Sequence, residues 1–206
     1  WFDQNVLTLN AAKTSVLCKK EIVIKIDSET LLNVPPNKSV KYLGIEIDSS
    51  LKFNHHAEKL LPKLRSVNYV IAGAKHQLQH KTGILLYNTL FNSILSYGLN
   101  IWGNKINKDH CDKLFKMQKR VIRNVCKKKF ISHTESLFET CKILKFEDLK
   151  AVENVMCVCK MIKQEAPECI SSKIRYVESN TRVGGFGVLA YVRHQPPESV
   201  FNHMFA

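Results

Sequence analysis

The chain has 206 residues, 45% of them apolar, which is enough for one domain or two small ones with a buried core. Its 31 Lys and Arg against 18 Asp and Glu give a net charge of +13, and this excess attracts polyanions such as nucleic acid or an anionic membrane surface. No apolar run approaches the ~18 residues of a membrane-spanning helix and no secretory signal is recognisable, so we expect neither a membrane-spanning nor a secreted protein. Because the chain begins with Trp1 rather than Met, we expect a fragment of a longer protein.

The first 48 residues alternate short apolar runs with polar turns, which predicts β-strands at 15–18, 22–26 and 31–34. Residues 39–48 form the fourth predicted strand, because β-branched and aromatic side chains alternate there with charged ones. The alternation slips at Leu43 and Gly44, which indicates a bulge or the close approach of another backbone. A core strand with a packing glycine is the alternative. Four short strands are too few for a domain, so we expect the edge of a larger sheet.

Helices are predicted from residue 55 onward, which makes the fold class α+β. Asn54 is the expected N-cap of a helix over 55–72, in which Pro62 should cause a kink or a break. A second helix over 83–97 is apolar around most of its circumference, which predicts the most buried helix of the chain, and Gly98 ends it.

The helix predicted over 108–127 carries most of the charge. Between residues 105 and 129, ten Lys or Arg stand against two Asp, which leaves +8 of the net +13 in twenty-five residues. Apolar side chains form one stripe of this helix and cations recur at steps of three and four on another, as expected of a contact to a phosphate backbone. A solvated surface without a ligand is the alternative, and the scarcity of acidic residues one turn away disfavours it. We call the cationic stripe the basic face and define it as Lys113, Lys116, Lys119, Arg120, Arg123 and Lys127.

Two more helices are predicted over 134–141 and 147–163. After Pro167 the pattern weakens to loops, and the tail from residue 170 is expected to be partly disordered. The predicted organisation is therefore a β-unit over 1–48, a helical domain over 49–165 and a poorly defined extension over 166–206.

The seven cysteines are odd in number, and several fall on the apolar faces of predicted helices. This is typical of reduced thiols in an intracellular protein, either cytoplasmic or nuclear, and it argues against a disulfide framework.

No catalytic constellation is recognisable in the sequence. The six aspartates include no adjacent pair, so a carboxylate cradle for two metal ions is not visible. The eight histidines are scattered, and His55 and His56 are expected to be neighbours of a helix cap rather than metal ligands. We therefore expect a basic binding module with no catalytic residue, metal site or cofactor of its own.

Several stretches resemble reverse transcriptases of non-LTR (LINE-type) retrotransposons. The segment Leu-Thr-Leu-Asn-Ala-Ala-Lys-Thr at 7–14 is similar to one that follows the family's catalytic aspartates. Residues 42–48 are similar to its primer-grip strand, and the remaining similarities to its thumb helices and a downstream segment are at 87–90, 94–98, 101–103, 117–123 and 133–138.

The resemblance implies that the β-unit is the end of a polymerase palm and that the helical domain is thumb-like. Lys13 would lie near the phosphates of the incoming nucleotide, and Tyr42, Leu43 and Gly44 would hold the 3′ end of the primer. The basic face would follow the backbone of an RNA template–DNA primer duplex. The family's Tyr-X-Asp-Asp box would precede Trp1, together with the rest of the polymerase and its Mg²⁺ site, so we expect this chain alone to be inactive.

Two other functions stay open on the sequence. One is a stand-alone basic nucleic-acid-binding module, or a degenerate element remnant without a polymerase role. The other is a helical protein-interaction domain whose cationic surface meets an acidic partner.

Overall fold

A computed structural model describes residues 5, 17, 22–25, 31–34, 39–163, 165, 174–179 and 187–192. The described part is mostly helical with small antiparallel sheets, so the predicted α+β class is confirmed. The chain divides into two compact units, Trp1–Ala151 and Val152–Ala206, whereas the sequence predicted boundaries at 48 and 165.

The first unit begins with two antiparallel strand pairs. Strands β1 (Ile22–Lys25) and β2 (Leu31–Val34) pair with Ile22 opposite Val34, and β3 (Val40–Tyr42) pairs with β4 (Ile45–Ile47). The strands predicted at 22–26 and 31–34 are confirmed, and all of the strand predicted at 15–18 except Leu17 lies outside the described residues.

The single strand predicted over 39–48 is wrong, because the chain reverses at Leu43 and Gly44. Their φ angles are 46° and 85°, both positive as a two-residue type I′ turn requires. The glycine that looked like a bulge is the second turn residue. Leucine is unfavourable at the first turn position because its Cβ crowds the left-handed backbone, and for this reason the residue pattern carried no hairpin signal.

Seven α-helices are described, with a π-helical segment over Tyr87–Asn92 between the second and the third. Their bounds are α1 Asn54–Ala74, α2 His80–Leu86, α3 Ser93–Ser96, α4 Leu99–Trp102, α5 Lys108–Val125, α6 Glu135–Cys141 and α7 Phe146–Ile162. The helices predicted over 55–72, 83–97, 108–127, 134–141 and 147–163 are thus all found, with ends shifted by a few residues.

The N-cap predicted for α1 is wrong. The N-cap is Phe53, with a left-handed backbone, and the Asn54 side chain instead accepts a hydrogen bond of 2.9 Å from the Asn107 backbone N–H. Of the kink or break predicted at Pro62, the break is absent, because the helix continues through this residue. Proline removes one backbone donor, and the packing of Leu61 and Leu64 in the core offsets that loss.

Helices α1 and α5 lie side by side and run in the same direction. The start of α1 contacts the cap of α5 through Asn54 and Asn107, and further along Asn124 donates a 2.9 Å hydrogen bond to Asn68. Their C-terminal ends are therefore neighbours. The core between α1, α5 and the π-helical segment includes Leu64, Phe91 and Val121, all fully buried.

The helix predicted to be the most buried is in fact buried along one stripe. Gly83, Tyr87, Phe91 and Leu95 are buried at a spacing of four, whereas Leu90 is exposed. The wider turn of the π-helical segment keeps these side chains, four residues apart, on the same side of the helix. Fully buried Gln118 of α5 holds the segment in place, since its Nε2 donates to Tyr87 Oη (2.8 Å) and to the Leu144 carbonyl (2.9 Å). Burial raises the pKa of Tyr87 to about 12.

The described cysteines are free thiols. Cys126 and Cys141 lie at the ends of α5 and α6 with their sulfurs 3.2 Å apart. Burial and the neighbouring thiol raise the pKa of Cys126 to about 12, so the thiol form persists at neutral pH.

The second unit contains a hairpin that the sequence prediction missed. Strands β5 (Ile174–Ser179) and β6 (Gly187–Val192) pair antiparallel, with Ile174 opposite Val192. The tail was expected to be loops because its glycines and prolines dominated the pattern, yet both six-residue strands are rich in β-branched and aromatic residues.

Candidate nucleic-acid interface

The positive charge is concentrated in one continuous part of the chain. Residues 59–134 contain fifteen Lys and Arg and only two acidic residues, Asp109 and Asp112. Their difference equals the net charge of +13 of the whole chain, so the remainder is neutral on balance. This part includes α1 beyond its first turn, α2 to α5 and the loop that follows α5.

Helix α5 separates its buried and cationic sides as the sequence predicted. Its buried side includes Leu114, Gln118 and Val121, and at ~100° per residue Lys116 and Arg120 project from the opposite side, where both are exposed. One cation of the basic face is already in an ion pair, since Lys113 Nζ lies 2.6 Å from a carboxylate oxygen of Asp109.

Lys119 lies at the edge of the basic face. Its ammonium is 4.2 Å from the centre of the Phe115 ring, and the side chain is half-buried. It is therefore directed along the helix surface rather than outward with Lys116 and Arg120.

Lys127 is not on the helix at all, which corrects its place in the predicted stripe. Helix α5 ends at Val125, and the N–H groups of Lys127 and Lys128 donate to the carbonyls of Asn124 (3.1 Å) and Arg123 (2.9 Å). This pair of hydrogen bonds is a Schellman motif, and it places Lys127 in the left-handed conformation with φ 55°.

Replacing Lys127 by glycine is expected to stabilise the domain. A side chain in the left-handed region costs about 1 kcal/mol that glycine avoids, so Lys127→Gly should raise the free energy of unfolding by roughly that amount. Urea denaturation followed by circular dichroism measures it. Lys127→Ala removes the same charge but keeps the Cβ atom, and an equal gain in that variant would contradict the explanation.

The C-terminal ends of α1 and α5 and the loop after α5 enclose a cleft of about 450 Å³. We call it the cationic cleft. Five of its eight lining residues are cations and none is acidic; they are Asn68, Lys75, Arg120, Arg123, Asn124, Lys128, Lys129 and Phe130. Cations placed together without carboxylates form a positive potential that favours an anionic ligand.

Two arginines of the basic face also shape this cleft. Arg123 Nε donates a 2.8 Å hydrogen bond to the Ser132 carbonyl, so Arg123 positions the loop as well as contributing charge. The guanidinium carbons of Arg120 and Arg123 lie 5.6 Å and 5.8 Å from the centre of the Phe130 ring. The cleft therefore combines guanidinium groups with an aromatic ring, which the sequence prediction did not include.

The predicted primer-grip residues form the exposed tip of the β3–β4 hairpin. Tyr42 and Leu43 are 63% and 72% exposed, and Tyr97 Oη donates a 2.7 Å hydrogen bond to the Leu43 carbonyl. Gly98, with φ 62°, lies against Ile45 so closely that a Cβ atom would be 2.6 Å from its Cδ1. The tip is therefore held by the turn that precedes α4.

The base of this hairpin is attached to the first half of α1. Glu46 is buried, its backbone N–H donates to His56 Nδ1 (3.3 Å), and its carboxylate accepts a 2.8 Å hydrogen bond from Lys59. The hydrogen bond from Lys59 lowers the pKa of Glu46. Burial, and to a lesser extent the charge of Lys63, lowers the pKa of His56.

This attachment is expected to weaken in acid. The pKa values of both His56 and Glu46 are lower in the folded chain than their ordinary values of 6.5 and 4.5, so the unfolded chain binds more protons. The stabilising contribution is present above pH 6.5, falls as pH drops through the His56 range and falls again as Glu46 is protonated.

Urea midpoints measured between about pH 5 and about pH 8 should fall toward the acidic end. In His56→Gln the urea midpoint should change less with pH near the upper end of this range, because glutamine does not titrate. A wild-type midpoint that stays constant over this range would contradict the assignment.

The hairpin tip and the cationic cleft belong to two separate cavities in the described part of the chain. The cavity next to the hairpin tip is lined by Gly44, Lys59 and Lys63, whereas the cleft is lined by Asn68, Lys75 and residues of α5 and the loop after it, so the two cavities share no lining residue. Lys59, which binds the base of the hairpin, and Lys75 point to nearly opposite sides of α1 at ~100° per residue.

Three further points concern Lys13, metal binding and membrane-spanning helices. Lys13 lies outside the described residues. Within the described part, no group of three or more His, Cys, Asp or Glu is arranged to hold a metal ion. No described helix has the length and apolar character needed to cross a membrane.

The sequence prediction missed Lys75 and Phe130 as site residues. Lys75 is isolated in sequence, and only the parallel packing of α1 and α5 brings it to the cleft. Phe130 follows three consecutive lysines, and an aromatic residue within a basic run is a signal of nucleic-acid contact that was available in the sequence.

Comparisons of the chain with models of known protein families, with curated proteins and with solved structures found no match.

Proposed function

We propose that the helical part of this chain binds a nucleic-acid duplex through its phosphate backbone. The observation that carries the proposal is the continuity of two cationic surfaces, because Arg120 and Arg123 belong both to the basic face of α5 and to the cationic cleft. Lys75, Lys128 and Lys129 extend this surface beyond the end of the helix. Such a surface neutralises phosphates without reading bases.

A solvated cationic surface without a ligand is less consistent with these contacts. Surface lysines that only maintain solubility are normally interspersed with acidic partners, as Lys113 is with Asp109. Lys116, Arg120, Lys128 and Lys129 have no ion pair to a carboxylate among the described residues. Their mutual repulsion is relieved when a polyanion binds.

We further propose that the chain is the palm-end and thumb part of a non-LTR retrotransposon reverse transcriptase, as its sequence resemblance implies. The exposed Tyr42–Gly44 turn supports this, because an apolar tip in a strained left-handed conformation suits contact with the sugar and base of a strand end. Lys41 and Lys63 line a small cavity of about 140 Å³ next to this turn and supply charge for a phosphate, whereas Lys59 in the same cavity is paired with Glu46.

The separation of the two surfaces restricts how a template–primer could bind. The hairpin tip and the cationic cleft share no lining residue, so they would contact one duplex at different points. The primer terminus and the gripped part of the duplex are therefore different regions of the nucleic acid in this proposal.

The salt dependence of binding tests the proposal. If the five cations Lys75, Lys116, Arg120, Lys128 and Lys129 neutralise phosphates, log K for a blunt DNA duplex should fall against log salt with a slope of about −4.5. Fluorescence anisotropy with two duplexes of unrelated sequence measures it. A slope near zero, or binding to only one of the two sequences, would refute a backbone contact.

An acidic protein partner is distinguished in the same experiment. A duplex that fails to bind at low salt, while an acidic polypeptide binds, would favour a protein-interaction role for the basic face. Assays of primer extension with Mg²⁺ test the separate expectation that this chain alone is inactive.

A further inference from the structure

Phe130 is an exposed aromatic ring inside a cation-lined cleft. The residue is 69% exposed although phenylalanine is among the residues most often buried, and its neighbour Ile131 is 84% exposed. Grooves that bind single-stranded nucleic acid combine cations that contact the backbone with aromatic rings on which bases stack. The cationic cleft has both components.

Phe130 is held in place before any ligand binds. On one side of it the Lys128 N–H donates to the Arg123 carbonyl (2.9 Å), and on the other side the Ser132 N–H donates to the Lys129 carbonyl (3.1 Å). Arg123 Nε fixes the Ser132 carbonyl at 2.8 Å. The backbone that carries the ring is thus anchored on both sides, so the loop loses little conformational freedom when a base stacks on Phe130.

The size of the cleft matches one nucleotide rather than a duplex. A volume of about 450 Å³ lies toward the lower end of the ~300–1,000 Å³ typical of small-molecule sites. The cleft wall also carries amide groups, since Asn124 donates to Asn68 at 2.9 Å and each amide retains further hydrogen-bonding capacity. These amides are suited to the edge of a base, and the lysines are suited to its phosphate.

We propose that the cationic cleft binds an unpaired nucleotide next to the duplex, with its base stacked on Phe130 and its phosphates contacted by Arg120, Lys128 and Lys129. This inference rests on the proposed function, to which it adds a single-stranded segment of the substrate. The basic face contacts the duplex, and the cleft cations, which contact duplex phosphates when no overhang is present, contact those of the strand that leaves the duplex.

The test compares three DNA substrates by fluorescence anisotropy at one salt concentration: a blunt duplex, the duplex with a short single-stranded overhang, and the same overhang built of abasic sites. Stacking on an aromatic ring strengthens binding by at least about fivefold per base, so the natural overhang should bind tighter than the blunt duplex by that factor or more. The abasic overhang, which keeps the phosphates, should lack most of this gain.

Variants at Phe130 separate stacking from charge. The ratio of overhang to blunt affinity should approach one in Phe130→Leu, which keeps an apolar side chain, and should persist in Phe130→Trp. Circular dichroism establishes that both variants are folded. An abasic overhang that binds as tightly as the natural one, or a ratio that is unchanged in Phe130→Leu, would overturn the inference.

The same measurements keep this inference distinct from the proposed function. Loss of blunt-duplex binding with retained, Phe130-dependent binding of a free single strand would support the cleft and refute the duplex contact. Absence of binding to every substrate would overturn both. A mononucleotide that competes with the overhang only in proteins with an aromatic residue at 130 would support the site.

Discussion

Replacing Lys116 and Arg120 together by glutamate is expected to lower the affinity for a blunt duplex by roughly 50-fold or more at ~0.1 M salt. Each phosphate contact changes log K by about 0.9 per tenfold change in salt. Relative to ~1 M salt, one contact therefore raises K about eightfold at ~0.1 M, and two contacts raise it about sixty-fold. Both side chains are exposed on the basic face, so the variant should fold normally. The salt slope should also become shallower by about two.

The matched control is Lys160→Glu with Lys163→Glu, which changes the net charge by the same amount. These lysines are exposed near the end of α7, in the other compact unit. We expect the control to lose much less affinity, with a slope close to that of the wild type. Equal losses in the two double variants would mean that net charge, rather than the basic face, determines binding.

Replacing Trp102 by alanine is expected to lower the free energy of unfolding by about 3–5 kcal/mol, the range measured for large aromatic side chains in cores. Trp102 is fully buried, and its ring centroid lies 6.5 Å from that of Phe146 and 5.2 Å from that of His56. Its Nε1–H donates a 2.9 Å hydrogen bond to the Tyr97 carbonyl. The alanine variant therefore loses packing and leaves the Tyr97 carbonyl without this donor.

Trp102→Phe separates these two losses, because it keeps an aromatic ring but removes the donor. Urea denaturation followed by far-UV circular dichroism should give a loss of about 1–3 kcal/mol for this variant. A loss below about 1 kcal/mol in Trp102→Ala would show that the site is not part of the cooperative core. The two variants also report on the hairpin tip, since Tyr97 joins Trp102 to Leu43.

The elements that the sequence predicted well are those determined by local periodicity. Helix α5 is the clearest case, because its buried residues and its exposed cations recur at helical spacing over eighteen residues. Its side chains therefore fall on the predicted sides whatever surrounds the helix. The ends are less well determined, and Lys127 was placed on the helix although the backbone leaves it at Val125.

Features that depend on distant contacts were missed. The turn at Leu43 and Gly44 has an unfavourable first residue, and the Tyr97 hydroxyl that stabilises it is fifty-four residues away in sequence. The π-helical segment likewise depends on Gln118, a partner on another helix. The cationic cleft combines Lys75 with Arg120 and Phe130, and nothing in the spacing of these residues predicts that they meet.

The parallel arrangement of α1 and α5 has an electrostatic consequence at the cleft. Each helix carries about half a negative charge at its C-terminal end, and the side-by-side packing brings the two ends together. Lys75, Lys128 and Lys129 lie just beyond these ends, where the macrodipoles attract them before any polyanion arrives. The cleft cations are thus partly neutralised by the peptide backbone, whereas Lys116, in the middle of α5, keeps its full field for the ligand.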